Sequence, residues 1–119
     1  MTIDPNTVPS GLHPLVYFVG TELIRGAAVK IGTTTDLKQR FRSLRLASPV
    51  PLVVHAVALG DRHREVEFHR EFRKHRLHGE WFKITPSLLE RIEAFRMIFD
   101  MNVATLVERS ARLNTEAVA

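Results

Sequence analysis

Leu15-Val16-Tyr17, then Lys30-Ile31-Gly32, then Asp36-Leu37 with Arg40 form the stretch whose reading decides the fold. Leu15 to Val19 and Ala27 to Ile31 are short, apolar and rich in β-branched residues, and the connection between them is bounded by Gly20 and Gly26. Two such runs around a glycine-bounded loop most simply make an antiparallel hairpin. Lys30 breaks the second run. In strand geometry it shares a face with Ala28, while Val29 and Ile31 point the other way, toward whatever the sheet buries.

Outward from the hairpin, Thr35 or Asp36 can cap a helix that continues to about Leu46, because either side chain accepts from the free amides of a first turn. Leu37, Phe41 and Leu44 give that helix a buried stripe, and Arg40 falls on its margin. Ser48-Pro49-Val50-Pro51 stops it, and Leu52 to Leu59 reads as a third, well-buried strand. A second helix is expected from about Arg62 to Arg76. On it Glu65 and His69 share the arc of Phe68 and Phe72, so Glu65 points inward and Glu67 outward. Glu80-Trp81-Phe82-Lys83-Ile84 reads as a short extended piece and a packing clasp over the sheet. Thr85-Pro86 opens a further helix with stripe Leu88, Ile92, Phe95 and Phe99, followed by a last helical segment with Val103, Leu106 and Val107.

The fold expected is therefore α/β (α+β), a three-stranded antiparallel sheet flanked by helices with a C-terminal helical extension. The divisions are a loose leader at 1–13, a compact domain at 14–85, and an extension at 86–119 packed on the same domain. A chain of 119 residues with 45% hydrophobic content can close a core without staples. It has no cysteine, which excludes disulfides and thiolate zinc sites and fits a reducing cytoplasm. The N-terminus lacks the basic start and apolar run of a signal peptide, and no apolar stretch is long enough to span a bilayer. A soluble, cytoplasmic protein without a membrane partner is expected.

Charge is uneven. Residues 1–85 carry 13 Lys/Arg against 8 Asp/Glu, whereas 86–119 carry 4 against 5. Lys38, Arg40, Arg42 and Arg45 form one basic cluster, and Arg62, Arg64, Arg70, Arg73, Lys74 and Arg76 form another, as a protein neutralising several phosphates requires. Solvated helix faces account for the same charges without a ligand. His63, His69, His75 and His78 scatter around a helix, so no tetrahedral zinc set follows from them.

The order of Tyr17, Lys30-Ile31-Gly32, Asp36-Leu37-Arg40, Glu65 through His69, and Gly79-Glu80-Trp81-Phe82 resembles the GIY-YIG nuclease superfamily over about residues 15 to 85. The closest likeness is to the phage and bacterial branch that includes the meiotically up-regulated gene product domain, where KIG replaces YIG and GEWF closes the domain. The resemblance implies metal-dependent endonucleolytic hydrolysis of DNA. In it Tyr17 is a general base or water-orienting group, Lys30 polarises Tyr17 or touches phosphate, and Arg40 holds non-bridging oxygens. Glu65 is the single carboxylate on Mg²⁺ or Mn²⁺, and His69 locks Glu65, contacts phosphate or shuttles a proton. Lys38, Arg42, Arg45, Arg73 and Lys74 are the expected DNA contacts. A salt bridge between Arg40 and Glu65 is the structural alternative. A DNA-binding module with little hydrolytic activity, or one subunit of an assembly that self-associates through the C-terminal helices, are the rival functions.

Overall fold

The structure is a computed structural model, and it describes residues 2–11 and 13–101. One antiparallel sheet organises the chain: β1 (Leu15–Gly20), β2 (Ala28–Thr34), β3 (Val53–Leu59), β4 (Arg76–His78) and β5 (Trp81–Lys83), in the order β3-β1-β2-β5-β4. Every residue of β1 is buried, as a central strand with both faces covered must be. The β1–β2 hairpin is in register from Leu15 opposite Thr34 to Gly20 opposite Val29, which sets Tyr17 opposite Gly32.

Alternation along the strands sends two sets of side chains to two cores. Val16, Phe18, Val29, Ile31, Ala56 and Ala58 pack against Phe68 and Phe72 of the α2 region (α2, Arg62–Glu71) and against Leu88, Ile92 and Phe95 of α3, a helix over 86–101. Leu15, Tyr17, Val19, Leu52 and Val54 pack on the other face with Leu37, Phe41 and Leu44 of α1 (Leu37–Ala47). Phe18, Phe68 and Phe95 meet with ring centroids 5.6 to 5.8 Å apart, and such pairs contribute about 0.5–1.5 kcal/mol each beyond their buried area. Arg64 lies over Phe68 and Phe95 and donates to the Leu59 carbonyl. That contact ties α2 to α3 and takes Arg64 out of the basic cluster expected to face phosphate.

Local chemistry explains the helix starts. Asp36 caps α1 by accepting from Gln39 N at 3.2 Å, and Asp61 caps α2 by accepting from His63 N at 2.9 Å. Thr85 Oγ1 faces Leu88 N at 3.4 Å at the start of α3, where Pro86 costs no hydrogen bond.

Three expectations are corrected. The sheet has five strands rather than three; the two extra ones are three residues each, too short for any periodicity to show. Gly79, at φ +56°, sits in the turn between them, a conformation glycine adopts without steric penalty. The second helix stops at Glu71 instead of reaching Arg76, because Phe72 leaves helical geometry as it enters the core and Arg73–His75 tighten into a 3-10 turn. Within 1–13, Ile3 is 5% exposed and forms a β-bridge with Val54, so this part of the expected loose leader is pinned to the sheet. The segment with Val103, Leu106 and Val107 lies outside the described residues. Among the described residues no helix is long and apolar enough to cross a membrane.

Candidate active site

β2 positions the site. Strand β5 pairs with it only from Ala28 to Lys30, so Gly32, Thr33 and Thr34 form an edge that β5 leaves open. Tyr17 lies across this edge on the α1 face. A methyl group placed on Gly32 would fall onto Tyr17 Oη, 2.6 Å from Cζ and 3.1 Å from Glu80 Oε2. Gly32 is therefore glycine for close approach, since its φ is not in the left-handed region. Gly32→Ala is expected to cost about 1–3 kcal/mol through overpacking alone. Urea unfolding monitored by circular dichroism checks this, and a loss below about 0.5 kcal/mol would mean that the ring has room to retreat.

Tyr17 Oη is fully buried and closes no well-aligned hydrogen bond. Burial raises the pKa of the phenol above its usual value. Arg40 opposes this from within electrostatic and donor reach, while the carboxylates of Glu80 and Glu65 push the same way as burial. The phenol thus keeps its proton at neutral pH. Arg40 itself is exposed on the first turns of α1 and makes no ion pair with a carboxylate among the described residues; the alternative bridge to Glu65 is not formed.

Lys30 is not the group that acts on Tyr17. Its Nζ lies 3.5 Å from Glu80 Oε2 and 5.8 Å from the Trp81 ring centroid, so its charge is engaged by β5 and the turn before it.

Glu65 approaches the same edge from the α2 face. Thr33 Oγ1 donates to its Oε2 at 2.6 Å. His69 Nε2 stands 3.7 Å from Oε1 and donates to the Ile31 carbonyl at 2.9 Å. The carbonyl only accepts, so Nε2 carries the proton, and the ring rests tilted against Phe82 at 5.0 Å. His69 is thereby fixed to the β2 backbone first and to Glu65 second. Glu67 is exposed, in keeping with its outward arc.

The expected DNA contacts fall into two groups, all exposed: Lys38, Arg42 and Arg45 on α1, and Arg73 and Lys74 in the 3-10 turn. On α1 the 38/42/45 ridge and Arg40 flank the buried stripe on opposite sides, at about 100° per residue. Glu80, read in the sequence as part of a packing clasp with a direct catalytic role as the alternative, is set beside Lys30 by strand pairing.

Tyr17, Lys30, Gly32, Arg40, Glu65 and Glu80 all fall within 15–100, the span over which the model of the T5orf172 domain matches. The chain belongs to the T5orf172 domain family. This is a nuclease-like, DNA-related module, and the match overturns the GIY-YIG assignment, which belongs to a different family. No curated protein and no solved structure matches the chain.

Proposed function

We propose that this T5orf172 domain is a metal-dependent DNA endonuclease that hydrolyses phosphodiester bonds at the open edge of β2. The observation that carries the reading is that Arg40, paired with no carboxylate among the described residues, stands within reach of the Tyr17 phenol at Gly32, while the Glu65 carboxylate is held at the next residue, Thr33. Arg40 holds the non-bridging oxygens and balances charge that grows on the pentavalent phosphorus, a task for a planar fork of donors. Tyr17, protonated at rest, orients the attacking water by hydrogen bonding. Water oxygen bonds to phosphorus as the bond to the 3′ oxygen breaks. The proton released by the water passes to solvent and the departing 3′ oxygen takes one up from solvent, leaving a 5′-phosphate and a 3′-hydroxyl.

Glu65 and the Thr33 hydroxyl are hard oxygen donors, the class that Mg²⁺ or Mn²⁺ prefers, and they would hold such an ion, with phosphate oxygens and waters supplying the other ligands. Among the described residues no three His, Cys, Asp or Glu gather around one point, so affinity for the ion without DNA is expected to be low. When bound, the ion supplies positive charge beside the leaving oxygen. Lys38, Arg42, Arg45, Arg73 and Lys74 contact the backbone, and the sequence carries no zinc-finger or helix-turn-helix motif that would read base edges.

The burial of Tyr17 Oη favours a second reading, a binding module without hydrolysis. Supercoiled, linear and branched DNA incubated with Mg²⁺ or Mn²⁺ separates the two. Metal-dependent nicking or cutting is expected, with binding that weakens steeply as salt rises. Salt-sensitive binding with no strand cleavage on any of the three substrates would establish the binding module instead.

A further inference from the structure

Glu80 has no part in the chemistry above, yet it stands in the middle of the site. Its Oε2 is 3.5 Å from Lys30 Nζ. It is also one of the three atoms nearest to the space over Gly32, and the other two are the Oη and Cζ of Tyr17. The carboxylate is delivered by strand pairing rather than by a free loop, because Ile31 N donates to the Glu80 carbonyl at 3.0 Å and β5 begins at the next residue. A carboxylate paired with Lys30 of β2 and set beside the phenol of β1 has the charge and the acceptor oxygens of a phosphodiester. While it stays there, it occupies the space over Gly32 beside Tyr17 Oη.

We propose that Glu80 is a positioning residue that stands in the place of a phosphate oxygen, holding Lys30 beside Gly32 and covering Tyr17 Oη until DNA displaces it. The proposal rests on the phosphodiester-site reading above. No covalent bond changes in this step. One monoanion replaces another at Lys30, so the half-buried ammonium is never left without a partner, a condition that would be costly. Substrate entry and exposure of the phenol then become one event, and an empty site keeps its lysine in place.

The chain has one tyrosine and one tryptophan, and both belong to this site, so the exchange is readable without turnover. In EDTA, a fluorescently labelled DNA duplex is expected to bind Glu80→Gln about fivefold tighter than wild type, because a competing anion is gone while the side chain keeps its shape. Tyrosinate absorbance should show Tyr17 ionising at lower pH in Glu80→Gln, and Glu80→Asp should stay near wild type. Trp81 emission should change when duplex is added to wild type, since Lys30 sits over that ring, and should not change in Lys30→Met. Equal duplex affinity in wild type and Glu80→Gln, or an unmoved Tyr17 titration, would overturn the role of Glu80. If wild type binds no duplex, the DNA reading itself fails, and titration with inorganic phosphate then decides the exchange: a Trp81 response that Glu80→Gln alters supports it, and an unresponsive Trp81 ends it.

Discussion

Glu65→Ala is expected to lower metal-dependent DNA cleavage by about 10²–10³-fold, and Glu67→Ala to leave it within about twofold. The two acids are neighbours in sequence but not in role. Glu65 is half-buried and accepts from Thr33 at 2.6 Å, whereas Glu67 is exposed on the opposite arc of α2. Truncating Glu65 also strands the Thr33 hydroxyl, a loss of about 1 kcal/mol in stability, so the comparison needs Glu65→Gln, which retains an acceptor for Thr33 without the charge. Thermal unfolding of the three variants separates folding from chemistry. Wild-type cleavage by Glu65→Gln would remove Glu65 from any metal-holding role, and loss of cleavage in Glu67→Ala alone would assign that role to the outer face of α2.

The hairpin, the α1 start at Asp36, the third strand and the inward register of Glu65 were legible because each rests on local pattern: alternation, a capping side chain, a helical arc. Strand β4 was not, and β5 was read only as a short extended piece at 80–84, without its place in the sheet. Arg76–His78 pairs only with Trp81–Lys83, which in turn joins the sheet through β2, a contact between residues about fifty positions apart in sequence, and Arg76–His78 carries no buried residue at all. The same long-range pairing decides charge partners in the site. Lys30 was expected to polarise Tyr17 or to touch phosphate, and β5 arrives beside it and presents Glu80 to it. Arg40, expected to grip phosphate or to bridge to Glu65, stands within electrostatic reach of the phenol and opposes the effect of its burial. Residue types and spacing therefore exposed most members of the site, while the pairing of charges among them depended on the order β3-β1-β2-β5-β4.

His55 governs the response to acid. It interrupts the apolar run of β3 at the point where the pairing with β1 slips, between Phe18 opposite Ala56 and Val19 opposite Val54, so it is the extra residue of a bulge. The ring is 2% exposed and neither nitrogen has a hydrogen-bond partner. Burial first, and then the Arg96 guanidinium, which donates to the His55 carbonyl at 3.2 Å, depress its pKa to about 4. An unfolded histidine titrates near 6.5, so between these values the unfolded chain binds the proton and the folded chain does not. The sign follows: stability is unaffected by this group above about pH 6.5, falls as pH drops through the window, and levels off below about pH 4, with a total of order 3 kcal/mol. Among the other histidines, His13, His63, His75 and His78 are exposed and His69 is half-buried with its Nε2 bonded. Urea midpoints measured from pH 7 to 4 should therefore decline steeply in wild type and much less in His55→Leu, whatever the substitution does to stability at pH 7. The difference in slope is the quantity that counts, because every other titrating group is common to both proteins. Parallel slopes would mean that the ring finds a partner or water when it charges, and that the bulge opens locally instead of opposing the whole fold.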